Sequence, residues 1–239
     1  MRFFAKISEF FDKYFFNPKW RCNSCGKEIF NDGYFCEKCV SEFPFHTENV
    51  CSHCGRETPF PTNSCLNCEN KIVHVDKAIS VFKYEKPIST LIKKIKYGGC
   101  KYLAQTFADF MHLYFLKSEI DVDVVTFVPM TKKALKRRGY NHAEIIAEEF
   151  CKKSSLTLTT CIEKVKETER QAKLKGKERQ LNLIGAFKVI DKSLVKNKSI
   201  LLIDDVTTTG STAEVLAEKL KKAGATRVYL LTLASVSIC

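Results

Sequence analysis

Hydrophobic and polar positions after residue 72 alternate between the two-residue period of β-strands and the 3.6-residue period of helices. Residues 78–84 alternate as a strand, and Ile88 to Tyr97 forms a basic amphipathic helix that ends at Gly98. Further helices are predicted at about 102–116 and 141–153, and further strands at 124–128, near 160–165, and at 186–189, 200–203 and 227–234. Strands separated by helices form a parallel sheet whose ligands bind at the carboxyl ends of the strands. Residues 73–239 are therefore predicted to form one α/β domain.

The strand at residues 200–203 leads into two carboxylates, a hydroxyl-rich loop and a helix that begins at Ser211. Backbone N–H groups at a helix N-terminus favour a bound anion, and Gly210 lets the backbone approach a phosphate closely. Carboxylates accept hydrogen bonds from vicinal ribose hydroxyls or hold Mg²⁺ through water. The pattern predicts a site for a phosphorylated ribose, formed by Asp204, Asp205, Val206, Thr207, Thr208, Thr209, Gly210 and Ser211.

A plain helix cap is the alternative explanation of this loop, but a cap needs one hydroxyl and no acidic pair. The chain lacks the Gly-x-x-x-x-Gly-Lys-Ser/Thr motif of nucleotide phosphate loops. It also lacks the Gly-x-Gly-x-x-Gly motif of dinucleotide-binding folds. The loop is therefore assigned to neither of those classes.

Eight of the twelve cysteines form an internal duplication in which each member of the second quartet lies 29 residues after its counterpart. In a reduced compartment, Cys-x-x-Cys pairs at this spacing indicate a metal site, and four thiolates make a closed, structural Zn²⁺ site. We predict two zinc ions in a module spanning residues 20–72. Sequential pairing of the cysteines and a cross-braced arrangement both remain open. The predicted ligands are Cys22, Cys25, Cys36, Cys39, Cys51, Cys54, Cys65 and Cys68.

The chain carries a formal net charge of +12, which favours polyanionic partners such as nucleic acid or an anionic membrane. The first twenty residues contain too many charges for a secretory signal, and no stretch has the roughly 18 apolar residues that span a bilayer. A cytoplasmic protein is therefore expected. Residues 1–19 nevertheless place aromatic side chains at helical spacing. Such a helix packs against protein or lies peripherally on the inner face of the cytoplasmic membrane.

Several segments together resemble the ComF-type (ComFC) competence proteins, a branch of the type I phosphoribosyltransferase family. The resemblance includes the acidic pair with its hydroxyl loop and the four Cys-x-x-Cys pairs. It also includes residues 91–98, Val128-Pro129 with the later Arg137-Arg138-Gly139-Tyr140-Asn141, and the run from Gln171 to Phe187. The resemblance implies a type I phosphoribosyltransferase-like parallel sheet flanked by helices and preceded by a small cysteine-rich zinc module.

The same resemblance implies that the ligand is 5-phosphoribosyl pyrophosphate (PRPP), bound with Mg²⁺. It places the pyrophosphate loop at Pro129 and Lys132. Residues 166–182 correspond to a flexible lid over PRPP, although a mobile basic segment also suits a nucleic-acid clamp. The chain departs from the family pattern at Lys166, where arginine is usual, and at His142, where glutamine is usual. The contacts of these two side chains are therefore open.

Family resemblance further implies a role in natural transformation, in which the protein handles single-stranded DNA entering the cytoplasm. A ComFA-type helicase and DNA-processing proteins are the partners that it implies. The basic and aromatic residues of the α/β domain would hold DNA through phosphate contacts and base stacking. They are Lys93, Lys94, Lys96, Tyr97, Arg137, Arg138, Tyr140, Lys173, Lys175, Lys177 and Arg179.

Two other functions are compatible with the sequence. One is an active phosphoribosyltransferase with an unidentified acceptor, and the other is a PRPP-responsive regulator that binds specific RNA or duplex DNA. Glutamine-dependent amide transfer is not supported, because the chain begins Met1-Arg2 and not with a cysteine glutaminase. No catalytic residue is assigned.

Overall fold

The computed structural model describes residues 20–30, 33–46, 49–66, 68–69, 73–167, 183 and 185–236. The chain divides into two compact units, residues 1–43 and 44–239. The predicted aromatic helix at 1–19 lies outside the described residues. Within the described residues, no helix is long and apolar enough to cross a membrane.

The smaller unit contains the first cysteine quartet on a short ribbon. Arg21 and Glu28 pair across a tight turn, in which the Cys22 N–H donates to the Lys27 carbonyl at 2.8 Å. Helix α1, Glu37–Ser41, follows Cys36 and buries Cys39. Phe35 and Phe43 pack edge to face, with ring centroids 5.2 Å apart.

The larger unit contains a five-stranded parallel sheet. Its strands are β1 (Lys77–Lys83), β2 (Val124–Phe127), β3 (Thr157–Leu158), β6 (Ser199–Thr207) and β7 (Arg227–Ser235). They lie in the order β1-β7-β6-β2-β3. Its helices are α2 (Ile88–Tyr97), α3 (Leu103–Lys117), α4 (Lys132–Arg138), α5 (His142–Ser154) and α6 (Ser211–Lys222). The predicted parallel α/β architecture is confirmed.

Strand β6 lies inside the sheet, between β7 and β2, where both of its faces are covered. Such a strand must be apolar on both faces, which explains the uninterrupted run from Ile200 to Ile203. Ile200 and Leu202 belong to the same buried cluster as Leu216 and Leu220 of α6. The sheet therefore fixes the point at which β6 delivers the acidic pair.

Two strands were predicted at their observed positions, but their expected pairing was wrong. The strands predicted near 160–165 and 186–189 do not join the parallel sheet. They form a separate antiparallel ribbon of β4 (Ile162–Lys164) and β5 (Phe187–Val189). The short strand β3 and the helix α4 were not predicted, because two residues and seven residues are too short to establish a periodicity.

Strand β6 is also longer than predicted. It continues through the acidic pair to Thr207, which pairs with Ser235 of β7. Asp204 and Asp205 therefore lie in the strand and not in the loop, which shortens the loop to residues 208–210. Polar residues extend this strand because pairing with β7 satisfies their backbone groups.

The segment that carries the second cysteine quartet (Cys51, Cys54, Cys65 and Cys68), here called the second cysteine ribbon, packs against the edge strand β1. The Ala78 N–H donates to the Ser52 carbonyl at 2.6 Å, and the Ser235 hydroxyl donates to the Gly55 carbonyl at 3.2 Å. Gly55 has φ +67°, and a Cβ added there would meet the Ser80 hydroxyl at 2.9 Å, so both conformation and space require glycine. The two compact units divide after Phe43, and Cys51, Cys54 and Cys68 of this ribbon belong to the same buried cluster as residues of the sheet. The domain boundary after residue 72 stays a prediction from the sequence.

Candidate functional site

The loop at residues 208–210 connects β6 to α6 at the carboxyl end of the sheet. Gly210 precedes the helix with φ 77°, a left-handed conformation that glycine adopts without strain. The Thr209 and Ser211 hydroxyls lie 2.9 Å apart. The first N–H groups of α6 face this loop, as at any helix N-terminus, which favours an anion at this position.

The acidic pair lies at the end of β6 beside a lysine from α2 and a histidine from α5. The Lys96 ammonium forms an ion pair with Asp205 Oδ2, and His142 Nε2 lies 3.4 Å from Asp205 Oδ1. Asp204 accepts the Asp205 N–H at 2.8 Å. Three elements that are distant in sequence therefore meet at two adjacent carboxylates.

The two carboxylates differ in electrostatic environment. Burial and the charge of Asp205 raise the pKa of Asp204 well above its usual range. Burial would also raise the pKa of Asp205, but Lys96 and His142 outweigh it and hold the pKa of Asp205 well below its usual range. Burial would lower the pKa of Lys96, yet the charge of Asp205 raises it. Asp205 and Lys96 therefore remain a charged pair, while Asp204 takes up a proton more readily.

A contact to Arg138 determines the tautomer of His142. An Arg138 Nη1 N–H lies 2.9 Å from His142 Nδ1, and a guanidinium can only donate. His142 Nδ1 is then the acceptor, so the ring proton is on Nε2 and faces Asp205. A continuous polar chain thus runs from Arg138 through His142 to Asp205.

The predicted pyrophosphate loop lies between β2 and α4. Pro129 is buried, and the Thr131 hydroxyl caps α4 by accepting the Ala134 N–H at 3.2 Å. Lys132 is almost fully exposed and pairs with Glu163 at 3.2 Å. Lys132 therefore has an acidic partner outside the acidic pair. Arg138, at the other end of α4, is connected to Asp205 through His142.

The structure brings part of the predicted DNA-binding set together. Arg138 lies over the Tyr97 ring at 4.9 Å, and the Tyr140 hydroxyl donates to the Ile95 carbonyl. The C-terminal ends of α2 and α4 are therefore adjacent, and Tyr97 is exposed. Lys93 and Arg137 are also exposed, and Lys94 is half-buried. The remaining four predicted residues, Lys173, Lys175, Lys177 and Arg179, lie outside the described residues.

Lys96 differs from the other cations of that set because its ammonium is committed to Asp205. Its side chain is largely buried, whereas Lys93 on the same helix is exposed. Lys96 therefore lies at the acidic pair, apart from the exposed cations of the predicted DNA-binding set. A buried acidic pair requires a cation, but sequence alone does not select one lysine from the several on this helix.

The cysteines form two clusters of four, each with its sulfur atoms within 4.8 Å of one another. The clusters join the first pair with the second and the third with the fourth, which is the sequential arrangement. Sulfur–sulfur distances of 3.9 Å for Cys25–Cys36 and Cys54–Cys65 match the edge of about 3.8 Å for tetrahedral zinc thiolates. The residues present therefore fit structural zinc.

Backbone donors also prepare these clusters for metal. Burial would raise the pKa of the Cys22 thiol, but N–H groups of Cys25, Cys36 and Ser24 lower it to about 6. In the second cluster the Cys65 N–H donates to the Cys51 sulfur at 3.3 Å. Thiolates are the form that binds Zn²⁺, so these donors favour the metal-bound state.

His142, Asp204 and Asp205 also place their ligand atoms within 4.8 Å of one another. Mg²⁺ prefers one or two carboxylates together with water and substrate phosphates. Asp204 and Asp205 fit such a partial ligand set, although Lys96 already balances one of the two charges. A Mg²⁺ bound here would supply positive charge for the phosphates of a ligand.

Comparison with known proteins agrees with both parts of the chain. Residues 13–70 match the double zinc ribbon domain, and residues 134–238 match the phosphoribosyl transferase domain. Competence protein F of Haemophilus influenzae is 29% identical over 92% of this chain and 98% of its own length. Competence protein ComFC of Streptococcus pneumoniae is 27% identical over 85% of this chain and 88% of its own. DNA utilization protein YhgH of Salmonella typhimurium is 27% identical over 76% of this chain and 82% of its own length.

The fold and the two domain matches define a phosphoribosyltransferase-like protein that carries a double zinc ribbon. The predicted fold class and the predicted cysteine zinc module are confirmed at this level. Its similarity to competence protein F and to ComFC extends over most of the chain, so the chain resembles the ComFC-type proteins in both of its parts.

Sequence reasoning missed two residues that the structure places beside the site. His142 was noted only as a departure from the family pattern, yet it bridges Arg138 and Asp205. Arg56, in the second cysteine ribbon, donates through Nη2 to the Thr208 carbonyl. Its position directly after a Cys-x-x-Cys-Gly turn gave no signal of a role in the α/β domain.

Proposed function

We propose that this protein acts in natural transformation, where it binds PRPP at the end of β6 and single-stranded DNA on the adjacent basic face. The observation that carries the proposal is the acidic pair at the end of β6, directly before the hydroxyl loop and the N-terminus of α6. The names of the relatives, two competence proteins and a DNA utilization protein, support the cellular role.

Binding of PRPP uses each part of this arrangement differently. The loop N–H groups and hydroxyls bind the 5′-phosphate, as helix N-termini bind phosphate elsewhere. Asp205, held ionised by Lys96, accepts a hydrogen bond from one ribose hydroxyl, and Asp204 accepts a hydrogen bond from a second hydroxyl or contacts Mg²⁺ through water. Cations near α4, including Lys132 and Arg138, balance the pyrophosphate.

Binding of single-stranded DNA uses the surface where α2 and α4 end. Lys93 and Arg137 are exposed to contact phosphates, and the exposed Tyr97 ring offers a stacking platform with Arg138 on it. Arg138 also contacts His142, which contacts Asp205. A DNA phosphate that attracts Arg138 therefore acts on the same polar chain as PRPP, so the two ligands are expected to influence each other's affinity.

The test is calorimetric titration of the zinc-loaded protein with PRPP and Mg²⁺, with and without a single-stranded oligonucleotide. We expect PRPP to bind and its affinity to change when DNA is present. DNA affinity should change by the same factor when PRPP is present, because linkage is reciprocal. Absence of PRPP binding at millimolar concentration would contradict the first half of the proposal, and absence of DNA binding the second.

The basic segment after β4 provides a prediction for the DNA half. Replacing Lys173, Lys175 and Lys177 by alanine is expected to weaken DNA binding and to reduce the slope of log affinity against log salt. Each lost phosphate contact lowers that slope by about 0.7 for single strands. The measurement is fluorescence anisotropy with a labelled oligonucleotide at two salt concentrations.

A matched control replaces Lys192, Lys196 and Lys198, which lie on the segment before β6. This variant carries the same change in net charge, so it separates a local contact from the general attraction of a basic protein. If the two variants behave alike, or the first retains the wild-type slope, residues 173–177 do not contact DNA.

The same protein can be tested for catalysis, since the domain match leaves this open. Release of pyrophosphate from PRPP in the presence of candidate acceptors would favour an active phosphoribosyltransferase. Strong preference for one RNA or duplex sequence would instead favour a PRPP-responsive regulator. DNA binding that is indifferent to sequence and steeply dependent on salt supports the role in DNA handling.

A further inference from the structure

The internal duplication allows two equivalent residues to be compared in different surroundings. Lys27 and Arg56 occupy the same position in the two copies, each after a Cys-x-x-Cys-Gly turn. The local hydrogen bonds are also the same, since Cys22 donates to the Lys27 carbonyl and Cys51 to the Arg56 carbonyl, both at 2.8 Å. Differences between the two side chains therefore do not arise from the ribbon itself.

The surroundings of the two turns differ sharply. Lys27 is exposed, and a Cβ added at Gly26 would have nothing within 4 Å. Arg56 is only 4% exposed, and Gly55 lies against Ser80 of β1. The second copy is thus adapted to the sheet, and its arginine reaches residues 152 positions later in the chain.

Arg56 Nη2 donates to the carbonyl of Thr208, the first residue of the loop that follows β6. Its Nε N–H is buried and has no hydrogen-bond partner among the described residues. A buried arginine whose Nε N–H is unpaired is unfavourable unless a negative charge lies nearby. A phosphate bound at the adjacent N-terminus of α6 would supply that charge.

A second contact joins the segment after the ribbon to the same helix. The Glu214 carboxylate, in the first turn of α6, accepts N–H groups of Val73, His74 and Val75 at 3.0 to 3.3 Å. The loop is therefore bracketed by Arg56 at its beginning and by this carboxylate just after its end. Both contacts come from residues 51–75, and both depend on that segment being folded.

We propose that Arg56 is a positioning residue, through which the second zinc ribbon holds the phosphate-binding loop in its binding conformation and supplies positive charge beneath it. This assignment rests on the proposed PRPP site and deepens it. The two zinc sites then have different roles, because the second site supports ligand binding and the first does not. Zinc does not contact the ligand in this arrangement, and its effect is transmitted through Arg56.

The test compares Arg56→Ala with Lys27→Ala in the full chain. Arg56→Ala is expected to weaken PRPP binding about tenfold, as expected for loss of one charge-assisted hydrogen bond. Hydrogen–deuterium exchange without ligand should become faster in residues 206–211. Lys27→Ala should leave both quantities unchanged, and Arg56→Lys, which keeps a charged donor, should lie between wild type and Arg56→Ala.

Zinc content separates positioning from unfolding of the ribbon. Both alanine variants are expected to retain the zinc content of the wild type. Unchanged PRPP affinity and unchanged exchange in Arg56→Ala would overturn the proposal, as would equal effects in Lys27→Ala. If the wild type binds no PRPP, the proposed function fails, but the exchange measurement without ligand still tests Arg56 by itself.

Discussion

Replacing Asp204 and Asp205 together by asparagine is expected to lower PRPP affinity by about 100-fold or more, which corresponds to loss of two charge-assisted hydrogen bonds. An amide is a weaker acceptor than a carboxylate and a weaker ligand for Mg²⁺. The measurement is calorimetric titration with PRPP and Mg²⁺. Wild-type affinity in the double variant would place the sugar site elsewhere.

The ion pair with Lys96 complicates this experiment, because the double variant leaves a largely buried ammonium without its partner. Breaking a buried pair by removing one member costs about 3–5 kcal/mol, so the melting temperature should also fall. Combining Lys96→Met with Asp205→Asn removes both members of the pair. Stability should then recover while PRPP affinity does not, which separates ligand recognition from the ion pair.

Asp123 offers a matched control at the opposite end of β6. The Asp123 carboxylate accepts the Ser199 N–H at 2.7 Å, much as the Asp204 carboxylate accepts a backbone N–H at the other end of β6. Asp123 lies at the end of the strand that is far from the loop. Asp123→Asn should leave PRPP affinity unchanged. A loss of affinity in this variant would mean that any damage to β6 weakens binding, and the acidic pair would then have no special role.

The sequence predicted the sheet well because its strands and helices carry strong periodic patterns. The helix at Ile88–Tyr97 was predicted with its observed bounds, and the apolar run before Asp204 identified the central strand. The acidic pair with its hydroxyl loop was recognisable because such a combination has few structural explanations. These features depend on residues that are close in sequence.

What the sequence did not reveal are contacts between distant residues. Lys96, His142 and Asp205 come from three different elements, and nothing in their local sequences shows that they meet. The sequence also did not reveal that β4 and β5 pair antiparallel, because strand orientation is set by packing and not by composition. Arg56 is the extreme case, since Lys27 has almost the same local sequence and a different environment.

The two cysteine clusters are likewise identical in spacing but different in surroundings. Cys51, Cys54 and Cys68 belong to the buried cluster that contains Val228 and Leu230 of the sheet. The first quartet belongs to the smaller unit. Loss of the second metal site is therefore expected to affect the core of the sheet, whereas loss of the first is not.

Replacing Cys51 by serine is therefore expected to destabilise the larger unit, whereas the equivalent change at Cys22 is not. Loss of the second metal site would unfold a ribbon that covers part of the core and lower the melting temperature by about 10 °C, equivalent to a few kcal/mol for a unit of this size. Cys22→Ser should remove one zinc ion and leave the melting of the larger unit unchanged. Differential scanning calorimetry together with zinc analysis by mass spectrometry measures both effects.

Zinc content and chelation of the Cys22→Ser variant give an independent check of the same difference. Wild-type protein should contain two zinc ions, and each serine variant should contain one. Removing zinc from Cys22→Ser should then reproduce the destabilisation seen in Cys51→Ser, because only the second site remains to be emptied. Equal melting temperatures for the two serine variants would show that the sheet does not depend on the second ribbon, and a wild-type content of one zinc or none would contradict the double site.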